Sequence, residues 1–450
     1  MSHRAKPGLE KAKTVTKKKF HLGWFMNYTP DEWEQPLTSA GGQPWDGKFF
    51  IDWAQQLERA CFDYIMIEDT LMISETYGGT AEAYLKHAIM GPKHDPAPLA
   101  ALMGANTSKL GVVATFSTMA YPPFMLARLC NTLDHICKGR FGWNIVTSGE
   151  NLAAQNFGMD ELPPRQDRYD MADEYVELCK QLWGSWDQDA VVLDRASNTY
   201  VDYKKVRPIN FNGKFFKCRG PLNTAPSPQG RPAFVQAGGS PRGRKFAAMT
   251  ADSIIAPSAG IKGNKAYRDD VRANAEKAGR NPDDIKVLFL IQPILGETMQ
   301  QAQDALARIQ NSPNYIERTL AGRSATSDID FSQFDLDKEL PPLTTNGEQG
   351  SLDAFAQWGS GKTLRQLVME NIARGMEGLV GTPESVADYM EQVAHEVGGD
   401  GFLITKPQTT LVNRKYITEI CEGLVPALQR RGLVRTEYTK KTLRETLREF

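Results

Sequence analysis

The residues of this chain that could do chemistry form a lining set rather than a catalytic motif. Gly238-Gly-Ser-Pro-Arg-Gly243 places two glycines and a hydroxyl ahead of a helix-opening proline. Such a loop lets a backbone approach a ligand closely and offers free helix N–H groups to an anion, so it reads as a phosphate cradle. The same loop also reads as a plain helix cap. Short apolar runs end in Trp24-Phe25-Met-Asn27-Tyr28, Glu68-Asp69, Thr115 with Ser117-Thr118, Asn144 with Thr147-Ser148, and Gly238-Gly-Ser240. This set is rich in hydroxyls, amides and aromatics. It contains no nucleophile–base pair and no opposed carboxylates, which Ser-His-Asp and glycosidase chemistry need. A large bound cofactor suits it better. The six cysteines (Cys61, Cys130, Cys137, Cys179, Cys218, Cys421) make no CxxC pair, and the six histidines make no HxxxH or HExxH pattern, so no metal site is expected. Buried free thiols in a reducing cytoplasm are the simplest account of the cysteines.

These residues need elements to hold them. Strand signals cover Phe20–Met26, Phe62–Glu68, Lys109–Phe116, Phe141–Thr147, Ala233–Ala237, Asp252–Ala256, Lys286–Leu295 and Gly401–Thr405. Helical spacing of apolar residues fills the gaps, as at Phe49–Ala60, Pro96–Asn106, Arg168–Trp183 and Pro383–Val397. Parallel neighbours need crossovers, and eight strand–helix units fit a closed (β/α)8 TIM barrel of the α/β class better than an open sheet. In such barrels the site lies at the C-terminal strand ends, where the residues above fall. Stretches at about 70–95, 184–232 and 311–375 read as insertions on this one fold, the second with a hairpin around Asn212-Gly213. Residues 1–19 read as a basic arm, 20–432 as the barrel and 433–450 as a C-terminal tail.

The chain has 450 residues with 53 basic and 54 acidic side chains. The first 20 residues carry seven of the bases and one acid, leaving 46 basic and 53 acidic groups in the body. That balance excludes a nucleic-acid protein built on a basic surface. No apolar run approaches the roughly 20 residues that span a bilayer, and no secretory signal opens the chain, so a cytoplasmic protein with no membrane partner is expected.

Arg140-Phe-Gly-Trp-Asn-Ile-Val-Thr-Ser148, Asn156-Phe-Gly158, Arg168-Tyr-Asp-Met-Ala-Asp-Glu-Tyr175 and Gln236-Ala-Gly-Gly-Ser-Pro-Arg-Gly243 together resemble the FMN-dependent two-component monooxygenases of the nitrilotriacetate and dibenzothiophene-sulfone type, within the bacterial luciferase-like superfamily. Tyr121-Pro-Pro-Phe-Met-Leu-Ala-Arg128, Ser227-Pro-Gln229 and the tail around Arg435 to Arg444 extend the likeness over about residues 20–446. The resemblance implies a luciferase-like barrel that takes reduced FMN from a separate NAD(P)H-dependent flavin reductase by diffusion. With O2 it would oxidise a small organic substrate through a flavin peroxide. The chain carries no second dinucleotide-binding stretch, in keeping with an external reductase. By position, the resemblance implies cofactor contacts at Asp69, Thr115, Asn144, Tyr169, Gly239 and Ser240, the last three around the phosphate; Thr147, at a strand end, and Arg242, whose charge suits a phosphate dianion, complete the cofactor candidates. Asp69, Asn144 and Arg165 are the catalytic candidates, and Trp24, Phe25 and Tyr28 the substrate candidates, with Trp33 and Trp45 beside them. It further implies a homodimer or homotetramer, with the tail packing across subunits.

Two departures bear on the substrate. Many relatives have His where this chain has Arg165, and many follow strand one with a Trp-Arg pair that Asn27 to Pro36 lacks. Residues 311–375 hold six basic and nine acidic side chains, no basic funnel for a polyanion. An apolar or aromatic substrate, sulfur-containing or halogenated, is therefore expected. An aminopolycarboxylate substrate, an F420-dependent oxidoreductase and a non-catalytic flavin-binding barrel are the alternatives.

Overall fold

The computed structural model describes residues 18–27, 47–357, 359–370, 376–407 and 413–450. Eight parallel strands close a barrel: β1 (His21–Asn27), β2 (Tyr64–Glu68), β3 (Gly111–Ser117), β4 (Phe141–Val146), β5 (Ala233–Ala237), β6 (Ser253–Pro257), β7 (Lys286–Ile291) and β8 (Gly401–Ile404). They pair in chain order, and β8 closes on β1 with His21 opposite Gly401. Helices α1 (Lys48–Arg59), α2 (Pro96–Ala105), α3 (Pro123–Ile136), α4 (Arg165–Trp183), α5 (Pro241–Thr250) and α6 (Gly260–Lys277) follow β1 to β6 in turn. Between β7 and β8 lie α7 (Met299–Gln310), α8 (Tyr315–Ser327), α9 (Gln349–Ala356) and α10 (Pro383–Val397), with the short helix Leu364–Glu370 before the last. Proline opens α2, α3, α5 and α10, where its missing N–H leaves nothing unsatisfied. Among the described residues, no helix is long and apolar enough to cross a membrane, and no group of three or more His, Cys, Asp and Glu side chains could hold a metal ion.

Strand side chains alternate between two cores. Leu22, Trp24 and Met26 of β1 point outward into the layer beneath the helices. Tyr64, Met66, Val113, Val235, Ile255, Leu288 and Leu403 fill the barrel interior, with Phe25 and Leu290 above them. Gly23 takes an inward position because a Cβ there would sit 2.5 Å from Leu403 Cδ1.

Two expectations change. Strand seven stops at Ile291, because Pro293 has no N–H for a ladder. Ile294–Leu295 instead pairs with Val380–Gly381 outside the barrel. The hairpin at 211–218 forms with Phe211 opposite Cys218, but its loop is not a two-residue Asn-Gly turn. The Glu174 carboxylate accepts the N–H groups of Lys214, Phe215 and Phe216 and holds a wider loop. The C-terminal tail packs on its own barrel. Its helix, Leu443–Leu447, carries a capping box from Thr442 and Glu445 and drives Leu443 and Leu447 into the floor of its own barrel. Gly111 and Gly142 make room: a Cβ at Gly111 would lie 2.6 Å from Leu443 Cδ1.

The insertions at 70–95 and 311–375 meet over the C-terminal rim. Met72, Ala83 and Tyr84 pack on Ala321 and Ala325 of α8, and the Tyr84 hydroxyl donates to the Ala321 carbonyl at 3.0 Å. The described part of 311–375 carries α8, α9 and a short helix, Leu364–Glu370, with its own cluster of Tyr315, Leu320, Phe331, Leu352, Phe355 and Leu367. The 1–17 part of the basic arm lies outside the described residues.

Candidate active site

A cavity of about 440 Å3 opens at the C-terminal ends of the strands beneath this double insertion. That is an ordinary size for a cofactor or small-ligand site. Phe25, Asp69, Thr115, Asn144, Thr147, Arg165, Tyr169, Gly239 and Ser240 all line it.

The wall at β3 and β4 is set by one chain of hydrogen bonds. Thr115 stands opposite Asn144 in the ladder. The Thr115 hydroxyl donates to the Ile67 carbonyl at 2.8 Å, so its oxygen is left to accept from Asn144 Nδ2 at 2.9 Å. The reversed amide would set two acceptors against each other. The Asn144 side chain is therefore locked, and its Oδ1, buried at the cavity wall, has no partner among the described residues. A buried acceptor without a donor is costly, which points to a ligand donor there. Gln236 Oε1 is a second such acceptor.

The loop after β5 builds the opposite end. Ser240 caps α5, its hydroxyl accepting the Gly243 N–H at 3.1 Å. A Cβ at Gly238 would lie 2.6 Å from both Gln236 Oε1 and the Gly243 carbonyl oxygen, so only glycine fits. The Tyr267 hydroxyl donates to the Gly238 carbonyl at 2.5 Å, and Arg244 Nη1 to the Gly239 carbonyl at 2.6 Å. Tyr169 lies beside this loop, its hydroxyl 2.7 Å from where a Gly243 Cβ would be.

Acids crowd the remaining rim. Burial raises Asp69 to about 7, Glu68 adds to the rise and Lys93 opposes it. Asp69 Oδ1 accepts the Thr70 N–H at 2.9 Å. Lys93, almost buried, bonds Glu68 and donates to Thr70 Oγ1 at 2.7 Å. Glu150, after β4, is also raised to about 7, by burial and then by Glu348 of the third insertion. Leu71, Met90, Ile255 and Leu290 supply apolar surface.

Two expected contacts fail. Trp24 is fully buried against Trp53, Phe62 and Tyr416 on the outside of β1. Neighbouring strand residues cannot share a face, so with Phe25 inside, Trp24 is outside. Arg242 is absent from the cavity wall. Its guanidinium bonds Asp173 at 2.6 Å and Asp170 at 3.3 Å and lies over the Tyr169 ring. Arg165 lines the cavity, yet Nη2 is engaged by the Thr345 and Gly347 carbonyls at 2.5 and 2.9 Å. Tyr28, Trp33 and Trp45 lie outside the described residues. Sequence reading missed Gln236, Glu150, Arg168 and Lys93. The first three sit inside or next to the motifs that carried the resemblance, but only the fold brings Lys93 to Glu68.

Residues 21–401 match the family model described as luciferase-like monooxygenase. The chain is 34% identical to dimethyl-sulfide monooxygenase of Hyphomicrobium sulfonivorans, over 97% of this chain and 90% of that one. It is 34% identical to a dibenzothiophene-sulfone monooxygenase of Rhodococcus erythropolis (strain XP), over 96% of each. Among solved structures, a riboflavin lyase crystallised with modified FMN and riboflavin superposes with a TM-score of 0.86 at 31% identity over 96% of each chain. With a barrel of this order and a match across most of its length, the chain belongs to the luciferase-like monooxygenase family.

Proposed function

We propose that this chain is the oxygenase component of a two-component FMN-dependent monooxygenase. It works in the cytoplasm as a homodimer or homotetramer and is supplied with reduced FMN by a separate NAD(P)H-dependent reductase. The observation that carries the reading is the locked Asn144 amide. Its unpartnered Oδ1 suits an N–H on the polar edge of a flavin ring, and the Gly238–Ser240 loop in the same cavity suits the phosphate. When bound in its reduced form, the flavin supplies O2 activation and transfer of one oxygen atom to the substrate.

The chain's own residues then have distinct tasks. Asn144, held by Thr115, orients the ring. Ser240, the Gly239 N–H and Tyr169 hold the phosphate. The insertions at 70–95 and 311–375 cover the cavity and exclude water. Asp69, raised to about 7, holds a proton at Oδ2 near neutral pH and can pass it into the cavity, since Oδ1 already accepts the Thr70 N–H.

Charge argues for the substrate class. Glu68, Asp69, Glu150 and Glu348 line the cavity, while the Arg165 guanidinium is engaged by backbone carbonyls. Glu68 is paired with Lys93, and burial favours the neutral forms of Asp69, Glu150 and Glu348, so these four acids offer a polycarboxylate no attraction. The apolar wall of Phe25, Leu71, Met90, Ile255 and Leu290 favours an uncharged apolar or aromatic substrate containing sulfur or halogen.

Chemically reduced FMN, 18O2 and a panel of sulfides, aromatic sulfones, haloaromatics and nitrilotriacetate test both points. The expected result is one labelled oxygen atom in an apolar product. Peroxide as the sole product with every compound would overturn the monooxygenase reading. Oxidation of nitrilotriacetate alone would overturn the substrate class.

A further inference from the structure

Two arginines clamp the segment that covers the Gly238–Ser240 end of the cavity. Arg165 and Arg168 stand one turn apart at the start of α4. Arg165 Nη2 donates to the Thr345 and Gly347 carbonyls, and the Arg165 backbone N–H donates to Asn346 Oδ1 at 3.0 Å. Arg168 Nη2 donates to the Asn346 carbonyl at 2.9 Å and Nη1 reaches Asn346 Oδ1 at 3.2 Å. Arg168 is buried, and its Nε has no partner among the described residues. Burial followed by its like-charged neighbour Arg165 lowers Arg168 to about 10. Two guanidiniums this close repel one another unless negative charge lies near both.

The segment they hold, 345–351, presses directly on the cradle. A Cβ on Gly350 would lie 2.6 Å from Gly239 Cα, and one on Gly239 would lie 2.8 Å from Gly350 Cα. The two glycine backbones thus pack face to face. Both Gly239 and Gly350 line the cavity, together with Ser240, Arg165, Arg168 and Tyr169. The N-terminus of α9, starting at Gln349, meets the N-terminus of α5 at this seam.

We propose that Arg165 and Arg168 are positioning residues that hold 345–351 against Gly239 and so determine the length of flavin the site accepts. A flavin ending in a phosphate monoester fits inside the Gly239–Gly350 seam and is held between two helix N-termini, with the arginine charge behind it. A flavin whose phosphate carries a further nucleotide, as in FAD, has to part the seam. Arg165, the departure from the His common among relatives, thereby acts through the cover and not as an acid or base.

This inference rests on the flavin reading above, and its test separates the two. Anaerobic titrations with reduced FMN and reduced FAD, followed by quenching of tryptophan fluorescence, give the ratio of the two affinities. Arg165→Ala releases the clamp, and Gly350→Val wedges the seam open by a different route. Each variant is first matched to the parent chain by circular dichroism. The expected result is a parent that strongly prefers FMN and variants in which the FMN-to-FAD preference falls by about tenfold or more. A loss of stability alone would weaken both flavins together and leave that ratio unmoved. A ratio unchanged in both folded variants overturns the clamp while the flavin reading stands. A parent chain that binds neither flavin overturns both.

Discussion

Thr115 decides which way the Asn144 amide faces, and Asn144 in turn decides what the cavity asks of a ligand. Two hydroxyl and amide groups, each with one bond already assigned, leave a single acceptor open. Asp69 is set by a different balance. Burial pushes its carboxyl up and Glu68 adds to this, while Lys93 pulls it down, and the result is about 7 against an ordinary 3.8. Folding therefore takes up a proton at Asp69 between those values. The stability tied to this group is present below about pH 4 and lost as pH rises through about 7. Asp69→Asn should melt higher than the parent chain at pH 8 and at the same temperature near pH 4. If turnover uses the Asp69 proton, the variant should also lose the limb of its pH–rate profile near pH 7. Melting curves that keep the same spacing at both pH values would remove the raised carboxyl from the account.

At the scale of elements, period-two alternation sorts neighbouring residues that look alike in sequence. Trp24 and Phe25 are both large aromatics at the end of one strand, and only the barrel's parity separates them. Trp24→Ala should destabilise the chain by about 3 to 5 kcal/mol in urea unfolding, with flavin affinity kept in the folded fraction. Phe25→Ala should show the reverse pattern, altering substrate turnover with a smaller stability change. A Trp24 variant that lost flavin affinity while remaining fully folded would contradict the assigned parity. The barrel itself was legible because buried parallel strands write continuous apolar runs, such as Val287 to Ile291, between helical patterns. The strand-end residues Asp69, Thr115 and Asn144 followed from that reading, and the structure gathers them on one cavity. Side-chain direction was not legible. Arg242 follows Ser240 by two positions, yet Asp170 and Asp173 on α4 draw it away. The helices of 311–375 escaped notice because α9 is short and polar-flanked, and its seat against Gly239 is set by the fold and not by a periodic apolar stripe in the sequence.

The whole molecule depends on its last residues to close the barrel from below. Leu443 and Leu447 complete an interior that the inward glycines of β3 and β4 leave open at the floor. A buried ionic network ties this plug down. Arg435 donates to Asp63 at 2.6 Å and to Glu449 at 2.6 Å, and His21 reaches Asp63 through Nδ1 at 2.9 Å while stacking on Phe450. Burial alone would raise the Asp63 carboxyl, but His21 and Arg435 overcome it and hold it below the ordinary 3.8. A lowered carboxyl contributes stability that is present above its unfolded value and lost as pH falls through its folded one. Arg435→Leu strands Asp63 with less positive charge around it. At pH 7 the variant should lose about 3 to 5 kcal/mol, the usual result of removing one partner from a buried pair. As Asp63 takes up a proton in acid, the stranded charge disappears and the difference should shrink. Urea unfolding of both chains at pH 7 and again near pH 3 measures it. A loss under about 1 kcal/mol at neutral pH, or one of equal size in acid, would mean that the floor holds without its ionic tie and that Leu443 and Leu447 close the barrel by apolar packing alone.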